Sequence, residues 1–342
     1  MEKWKDKRVL ITGVCGTVGR ELLRQLRALP VLEIIGIDNN ESQLFFLDEE
    51  CREDKRVRLY LGDIRDRDKL FRKTEGVDVI LHTAALKHVI LCERSPTDAV
   101  LTNIVGVQNV VDAAAQNRVG RVLFTSSDKA VNPTNVMGTS KLMGERLMTA
   151  ANSLRRGPGP IFASTRFGNV LGSSGSVIPL FKKQIAAGGP ITLTDERMTR
   201  FIMTIAQAAS LVLESVFIAK GGEVFVTKMP VLRIKDLAAV MVEILAPRHG
   251  FKPKEVEVWL TGSKPGEKLF EELLSEEETR RTVELEHYFA VLPAFKNVYA
   301  DISYDYPGQK GDGKHPRAYT SLTERAMTME ELARFLLDGK LI

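Results

Sequence analysis

Three cysteines among 342 residues, at positions 15, 51 and 92, are too few and too far apart for a disulfide framework, and they are odd in number. None stands in CxxC spacing, and the five histidines show neither HxxxH nor carboxylate-flanked spacing, so no metal centre is expected. No apolar stretch approaches the roughly 18 to 20 residues that cross a bilayer, and the chain runs at once into a strand pattern without a secretory leader. Neither sign of charge dominates: 48 Lys and Arg against 44 Asp and Glu leave +4, interspersed, with no basic stripe for nucleic acid. Internal repeats and low-complexity tracts are missing as well. The expectation is a soluble protein of a reducing cytoplasm, with neither membrane nor nucleic acid as partner.

What is present is a hydrophobic content of 44%, enough for one large α/β unit and a smaller lobe. Apolar runs recur at RVLIT, LEIIGID, VRLYLGD, VDVILHTAA, RVLFTSS and IFASTRF, separated by helix-length amphipathic segments. This βαβ alternation predicts a Rossmann-type, doubly wound parallel sheet over residues 1–167, with functional groups at the strand C-termini. One helix is expected from Pro96 to Asn117, with Val100, Ile104, Val107, Val110 and Val111 on its buried side. From 168 to 300 the pattern loosens into Gly- and Pro-punctuated loops, read as a smaller C-terminal substrate lobe. Within it a helical run at 201–222, from Phe201 to Lys220, is expected to return to the sheet. Residues 301–342 read as an irregular extension ending in a helix near Met329 to Leu337.

The most informative local feature is VLITGVCGTVGREL, residues 9 to 22, where a strand pattern ends in a Gly-rich turn that opens a helix. Gly13, Gly16 and Gly19 stand in GxxGxxG spacing, which brings backbone close to a pyrophosphate and points helix N–H groups, from Thr17 and Val18 onward, at it. About twenty residues on, VLEIIGIDNN ends a second strand in Asp38, followed by Asn39. A carboxylate there accepts hydrogen bonds from ribose hydroxyls and repels a 2′-phosphate, so NAD is favoured over NADP.

The fifth strand ends in LFTSSDKAVNPTNVMGTSKLMGE, which brings Ser127, Asp128 and Lys129, after Thr125, to the place of a nicotinamide ring. An acid beside a base there suggests proton transfer coupled to hydride transfer. Met137 and Lys141 stand four apart at a helix start, the spacing of Tyr and Lys in short-chain dehydrogenases/reductases; here the tyrosine is missing. A thioether has no proton to exchange, so Met137 cannot be the base for alcohol oxidation.

With HTAALKHV at 82–89, SSDKAVNPTNVMGTSK at 126–141, RFGNVLGSSGSVIPLF at 166–181, ITLTDERMTRFIMT at 191–204 and GSKPGEKLFEELL at 262–274, the chain resembles the extended short-chain enzymes that act on nucleotide sugars. Within them it resembles the polysaccharide-biosynthesis 4,6-dehydratases, typically of UDP-N-acetylglucosamine. The resemblance implies a redox-neutral reaction: oxidation at carbon 4, loss of water across carbons 5 and 6, and hydride return to carbon 6. It implies Asp128 as the acid at the departing 6-hydroxyl, Lys129 as the base at carbon 5, and Lys141 as the holder of the nicotinamide ribose. Those roles need Asp128 protonated and Lys129 neutral, against reference values of about 3.9 and 10.4. Ser127, Lys129 or a water is left to pass on the 4-hydroxyl proton. A branch of the family also carries Met at the position of Met137 and is associated with retention at carbon 5.

The same resemblance assigns Asp63 to adenine, with Ile64 beside it, though a helix-capping aspartate is the plainer reading of Asp63. Ala84, Ala85 and Lys87 border cofactor and sugar, His88 borders the sugar or merely packs, and Asn103 supports the site. Asn169, Ser173, the backbone from Val177 through Pro179 to Leu180, and Thr194 are implied nucleotide-sugar contacts. Arg200 and Lys264 are implied to neutralise the diphosphate and Glu267 to bind ribose; Ser174 replaces a frequent arginine, and Lys264 stands where arginine is usual. Association into a homo-oligomer through the helices at 96–117 and 136–155 is expected. Competing readings are the same chemistry on a GDP-sugar, a 4- or 5-epimerase, and an inactive NAD-binding regulatory subunit.

Overall fold

The computed structural model describes residues 2–153, 159–173, 176–262, 266–295, 299, 302–309 and 317–342. The six apolar runs form strands β1 (Arg8–Thr12), β2 (Glu33–Asp38), β3 (Val57–Leu61), β4 (Val79–His82), β5 (Arg121–Thr125) and β6 (Ile161–Arg166). All pair in parallel in the order 3-2-1-4-5-6, so the chain reverses its direction of travel across the sheet between β1 and β4. That reversal opens a crevice at the strand C-termini, and the conserved geometry of doubly wound sheets puts ligands there.

The sheet does not stop at β6. Strands β7 (Val224–Thr227), β8 (Thr282–Glu284) and β9 (Tyr288–Val291) extend it to nine, β7 parallel to β6 and the other two antiparallel. The expectation that within 168–300 the run at 201–222 returns to the sheet and the rest forms a substrate lobe is therefore revised, since three later strands join the sheet as well. Val226, Phe289 and their neighbours are buried strand residues whose short apolar runs lie among turn signals, and periodicity alone does not tell such runs from lobe loops. Two helices cover this face of the sheet, α1 (Thr17–Arg27) and α4 (Ile205–Ile218). The expected helical run from Phe201 begins late, because Thr199–Met203 is a strand and Thr204 caps α4 with Gln207 in a reciprocal box.

The predicted helix at 96–117 is interrupted. Pro96–Val100 is helical, Leu101–Val105 forms a π-helical turn, and the helix resumes at Gly106–Gln116. The wider turn rotates the face, so Val100 is 44% exposed while Val107, Val110 and Val111 are buried. The smaller lobe has its own core, where Ile178, Phe181 and Ile185 of α3 (Val177–Ala186) meet Leu237 and Met241 of α5 (Ile234–Leu245). Its last member is α6 (Met329–Asp338), whose Leu332 and Leu336 are fully buried there, so the C-terminal stretch is part of the lobe and not an appendage. Each such side chain stabilises the fold by roughly 1.5–3 kcal/mol. No helix among the described residues is long and apolar enough to cross a membrane.

One buried ionic cluster ties these parts. Arg166, 1% exposed at the end of β6, donates to both oxygens of Glu145 at 2.7 Å, to Glu278 at 2.8 and 2.9 Å, and to the Leu273 carbonyl at 3.2 Å. Glu278 is taken from its ordinary range to about 2: burial opposes its charge, but the Arg166 guanidinium outweighs that. A depressed carboxyl contributes stability above its unfolded value and loses it as pH falls, so about 3 kcal/mol should disappear between about pH 5 and pH 2. Urea unfolding across that range checks it. Arg166→Met, which leaves two carboxylates buried against each other, should cost about 3–5 kcal/mol at pH 7 and less at pH 4.

Candidate active site

The turn after β1 is set by contacts that admit no side chain. Gly13 has φ +73°, and a Cβ on it would lie 2.7 Å from the Ala84 backbone; on Gly19 a Cβ would lie 2.2 Å from the Gly13 carbonyl oxygen. Gly16 caps α1 without a side-chain hydrogen bond, and Thr17 and Val18 of the first turn line a cavity. Asp38, at the end of β2, accepts from Cys15 N and from Asn40 N, each at 2.9 Å, which fixes its carboxylate beside the turn. It lines a cavity of about 290 Å³ with Gly13, Asn39, Asp63, Ile64, Ala84 and Ala85. Asp63 is held by Arg65 and Asn39, and the helix after it is capped by Asp66, which disposes of the capping alternative for Asp63.

A second cavity, of about 680 Å³, shares Gly16, Thr83, Ala85 and Leu86 with the first and continues to Thr125, Met137 and Lys141. The run of carboxylates at one end, a helix N-terminus in the middle and a buried lysine at the other suits a dinucleotide. Asn103 lies behind this wall: its amide donates to the Leu86 carbonyl and to Ser140 Oγ, both at 2.9 Å, and its oxygen accepts from Leu86 N at 2.8 Å.

At the far end, α2 (Val136–Ala151) starts at the Asn135 cap and presses Gly138 onto the turn before it. A Cβ there would lie 2.3 Å from the Lys129 carbonyl oxygen, so the helix that carries Met137 and Lys141 sits directly on the turn that carries Asp128 and Lys129. Lys141, 6% exposed, donates to the Thr125 carbonyl at 2.9 Å and stands 4.7 Å over the Phe124 ring. Burial lowers its pKa to about 8, against the raising effect of Glu145 and Cys92.

The acid–base pair is in the opposite state to the one its implied roles require. Asp128 is 2% exposed and accepts from Lys129 Nζ at 3.2 Å and from the Ser127 hydroxyl. Burial would raise it, but the Lys129 ammonium and these hydrogen bonds hold it below the ordinary carboxylate range. Lys129 loses solvation yet is pushed above the usual lysine value, first by the Asp128 carboxylate and then by the carboxyl of Glu271, which stands 3.2 Å from Nζ on its other side. Sequence reasoning does not single out Glu271. Its signal is an acidic residue between Leu269 and Leu273 in period-two register, the inward phase of a short strand.

Lys87 and His88 after β4 and, from the lobe, Asn169, Ser173, Val177, Thr194, Arg200 and Glu267 all lie on the cavity lining. Pro179 and Leu180 are not on it. The spacing that buries Ile178 and Phe181 turns them to solvent, and Leu180 is 47% exposed. Lys264 and Ser174 lie outside the described residues. Arg200 does not present a free guanidinium to a diphosphate: it donates to the Thr199, Leu269 and Lys268 carbonyls at 2.7, 3.2 and 2.9 Å, and its Nε lies 3.3 Å from Glu271. Its work is to fasten the 268–271 loop to the strand at 199–203.

Residues 9–293 match the family described as polysaccharide biosynthesis protein. The chain is 49% identical over 290 residues to an uncharacterized membrane protein of Methanocaldococcus jannaschii, covering 85% of this chain and 87% of that one. It is 36% identical over 316 residues to an inverting UDP-N-acetylglucosamine 4,6-dehydratase of Campylobacter jejuni, 90% of each chain. A UDP-glucose 4-epimerase of Rickettsia canadensis is 34% identical over 341 residues, 97% and 96% of the two. The X-ray structure of Pen from Bacillus thuringiensis superposes with a TM-score of 0.91 at 40% identity over 99% of both chains.

The depressed Lys141 carries a sign that can be measured. A lysine whose folded pKa lies below its unfolded value destabilises the fold at low pH, and the penalty fades as pH rises from about 8 to about 10.4. Lys141→Met without cofactor should therefore melt higher than wild type at pH 7, by up to about 3 kcal/mol, and lose that advantage by about pH 10. Thermal unfolding followed at both pH values tests this.

Proposed function

The chain belongs to the polysaccharide biosynthesis protein family of NAD-binding enzymes that modify nucleotide sugars, and on that premise we propose that it dehydrates UDP-N-acetylglucosamine to a 4-keto-6-deoxy sugar. The observation that carries this reading is the buried Ser127–Asp128–Lys129 array at the end of a cavity otherwise shaped for a dinucleotide. Gly13, Gly16 and Asp38 would hold NAD, which would supply a reversible hydride acceptor for oxidation at carbon 4 and reduction at carbon 6.

Ser127 fills the place left by the missing tyrosine. Its hydroxyl already donates to Asp128, so it can accept the 4-hydroxyl proton and pass its own on. Asp128 then holds the proton that the departing 6-hydroxyl needs, and the same transfer removes the Asp128 charge, the larger of the charge effects that keep Lys129 protonated. Lys129, whose side chain is 32% exposed, sheds its proton to solvent and becomes the base at carbon 5. After elimination it delivers a proton to carbon 5 from its ammonium, whose hydrogens exchange with solvent. Lys141 anchors the ribose and, as a buried cation, favours loss of the 4-hydroxyl proton. Met137, 3% exposed, packs against the sugar.

A second reading, 4-epimerisation, is favoured by the Rickettsia relative. It needs acid–base chemistry at carbon 4 alone, and the Asp128–Lys129 pair would be surplus to it.

Proton NMR of the protein with UDP-N-acetylglucosamine in deuterated water should show a 6-methyl signal and deuterium at carbon 5. A 4-epimer with no methyl signal would sink the dehydratase reading. Lys129→Met should lower turnover by about 10²–10⁴, with carbon 4 oxidation surviving as absorbance of reduced cofactor, whereas Asp128→Asn, which removes the acceptor of the relayed proton, should lower turnover by a similar factor and slow the oxidation as well. Ser127→Ala should slow that oxidation itself, and an unchanged rate would remove the serine from the relay.

A further inference from the structure

The mechanism leaves Glu271 unused, although it is one of the most buried acids in the molecule. It is 5% exposed; its Oε1 faces Lys129 Nζ at 3.2 Å and Arg200 Nε at 3.3 Å. Its Oε2 is buried and, as a carboxylate oxygen, has no donor. The Glu271 side chain as a whole interacts with the Asp128 carboxyl, and two neighbouring carboxyls share a proton or repel. A proton on Glu271 removes that repulsion and takes the unpaired charge off the orphaned oxygen.

The same residue lies on the wall of a third cavity, of about 630 Å³, that also reaches Asp128 and Lys129 and leads past Thr134 and Glu272. The reaction centre is thus open on two sides, one towards the cofactor and one along Glu271.

We propose that Glu271 is a neutral positioning residue whose bound proton leaves Asp128 as the only anion holding Lys129 charged. This rests on the dehydratase reading for its consequence, though not for the protonation itself. Consider Lys129 when Asp128 has received the 4-hydroxyl proton. With Glu271 neutral, the remaining influences are burial and the Arg200 charge, and both favour the free amine. With Glu271 ionised, a carboxylate 3.2 Å away keeps the ammonium, and no base is available at carbon 5. The proton count closes on either side: the 4-hydroxyl proton leaves with the departing water, Lys129 takes one proton from carbon 5 and delivers one there from its solvent-exchanging ammonium, and it exchanges one further proton with solvent per turnover. Glu271 keeps its own throughout.

The groups facing Glu271 are Asp128, Lys129 and Arg200. Burial first, then the Asp128 charge, raises it to about 8 against the pull of the two cations. Turnover should therefore fail as Glu271 ionises in the alkaline range.

The test uses holoenzyme and two readouts. Infrared difference spectra between wild type and Glu271→Gln should show the carbonyl stretch of a protonated carboxyl at neutral pH, vanishing as pH rises through about 8. In parallel, log kcat/KM for UDP-N-acetylglucosamine should lose about one unit of limiting alkaline slope in Glu271→Gln relative to wild type, whatever Lys141 adds to both. Glutamine keeps the shape and cannot ionise. A wild-type spectrum without the carboxyl band overturns the proposal with no need for the variant to fold or turn over. A uniform drop in rate with an unchanged slope also overturns it, leaving Glu271 a structural residue. If the band is present while wild type makes no 6-methyl product, the substrate reading fails and the protonated Glu271 stands.

Discussion

Arg166 offers five N–H groups, and all five are used inside the protein: three bonds reach two different glutamates through its outer nitrogens, one reaches Glu145 through Nε, and one reaches a backbone carbonyl. Glu145 belongs to α2, one turn beyond Lys141, while Glu278 and Leu273 belong to the segment that brings Glu271 to Lys129. A planar fork of fixed geometry thus holds the cofactor-side lysine and the acid–base cluster in register across the end of β6. No apolar contact could do this, since hydrophobic burial is non-directional. The cost is desolvation of four charged groups, Arg281 included at 3.6 Å from Glu278, which is tolerable because the group is neutral as a whole.

The two lysines of the site show how neighbours set chemistry. Lys129 and Lys141 are 12 positions apart and both serve the same cavity, yet one is driven above its ordinary value and the other to about 8. Lys129 stands between two carboxyls. Lys141 has a carbonyl and an aromatic ring close by, with the Glu145 charge already claimed by Arg166. Burial acts on both in the same direction, and its effect is reversed for Lys129 only by counter-charge. A catalytic role for Lys129 therefore depends on removing that counter-charge during the reaction, which is what proton delivery to Asp128 accomplishes.

Much of the fold was legible because parallel strands, buried on both faces, write themselves as apolar runs with turn residues between. The cofactor half was legible for a related reason: close approach of backbone to backbone at Gly13 and Gly19 admits no substitute, so the glycine spacing itself carries the geometry. What misled was of two kinds. Short strands such as β7 and β9 lie far along the chain from the sheet they complete, and nothing local tells which sheet receives them. The π-helical turn at Leu101–Val105 breaks a periodicity that assumes 3.6 residues per turn, and so Val100 faces solvent.

By itself, then, the amino-acid order determined the doubly wound sheet, the dinucleotide turn with its acidic partner, and the presence of an acid beside a base at the end of β5, since each follows from local sterics or from polarity in fixed register. Only the tertiary structure decided which groups surround that pair. Glu271 lies 142 residues from Lys129 and Arg200 a further constraint on the same oxygen, so the charge state of the centre is a property of long-range packing. The reason is physical: desolvation and Coulomb terms depend on distance in space, and a linear sequence records only distance along the chain.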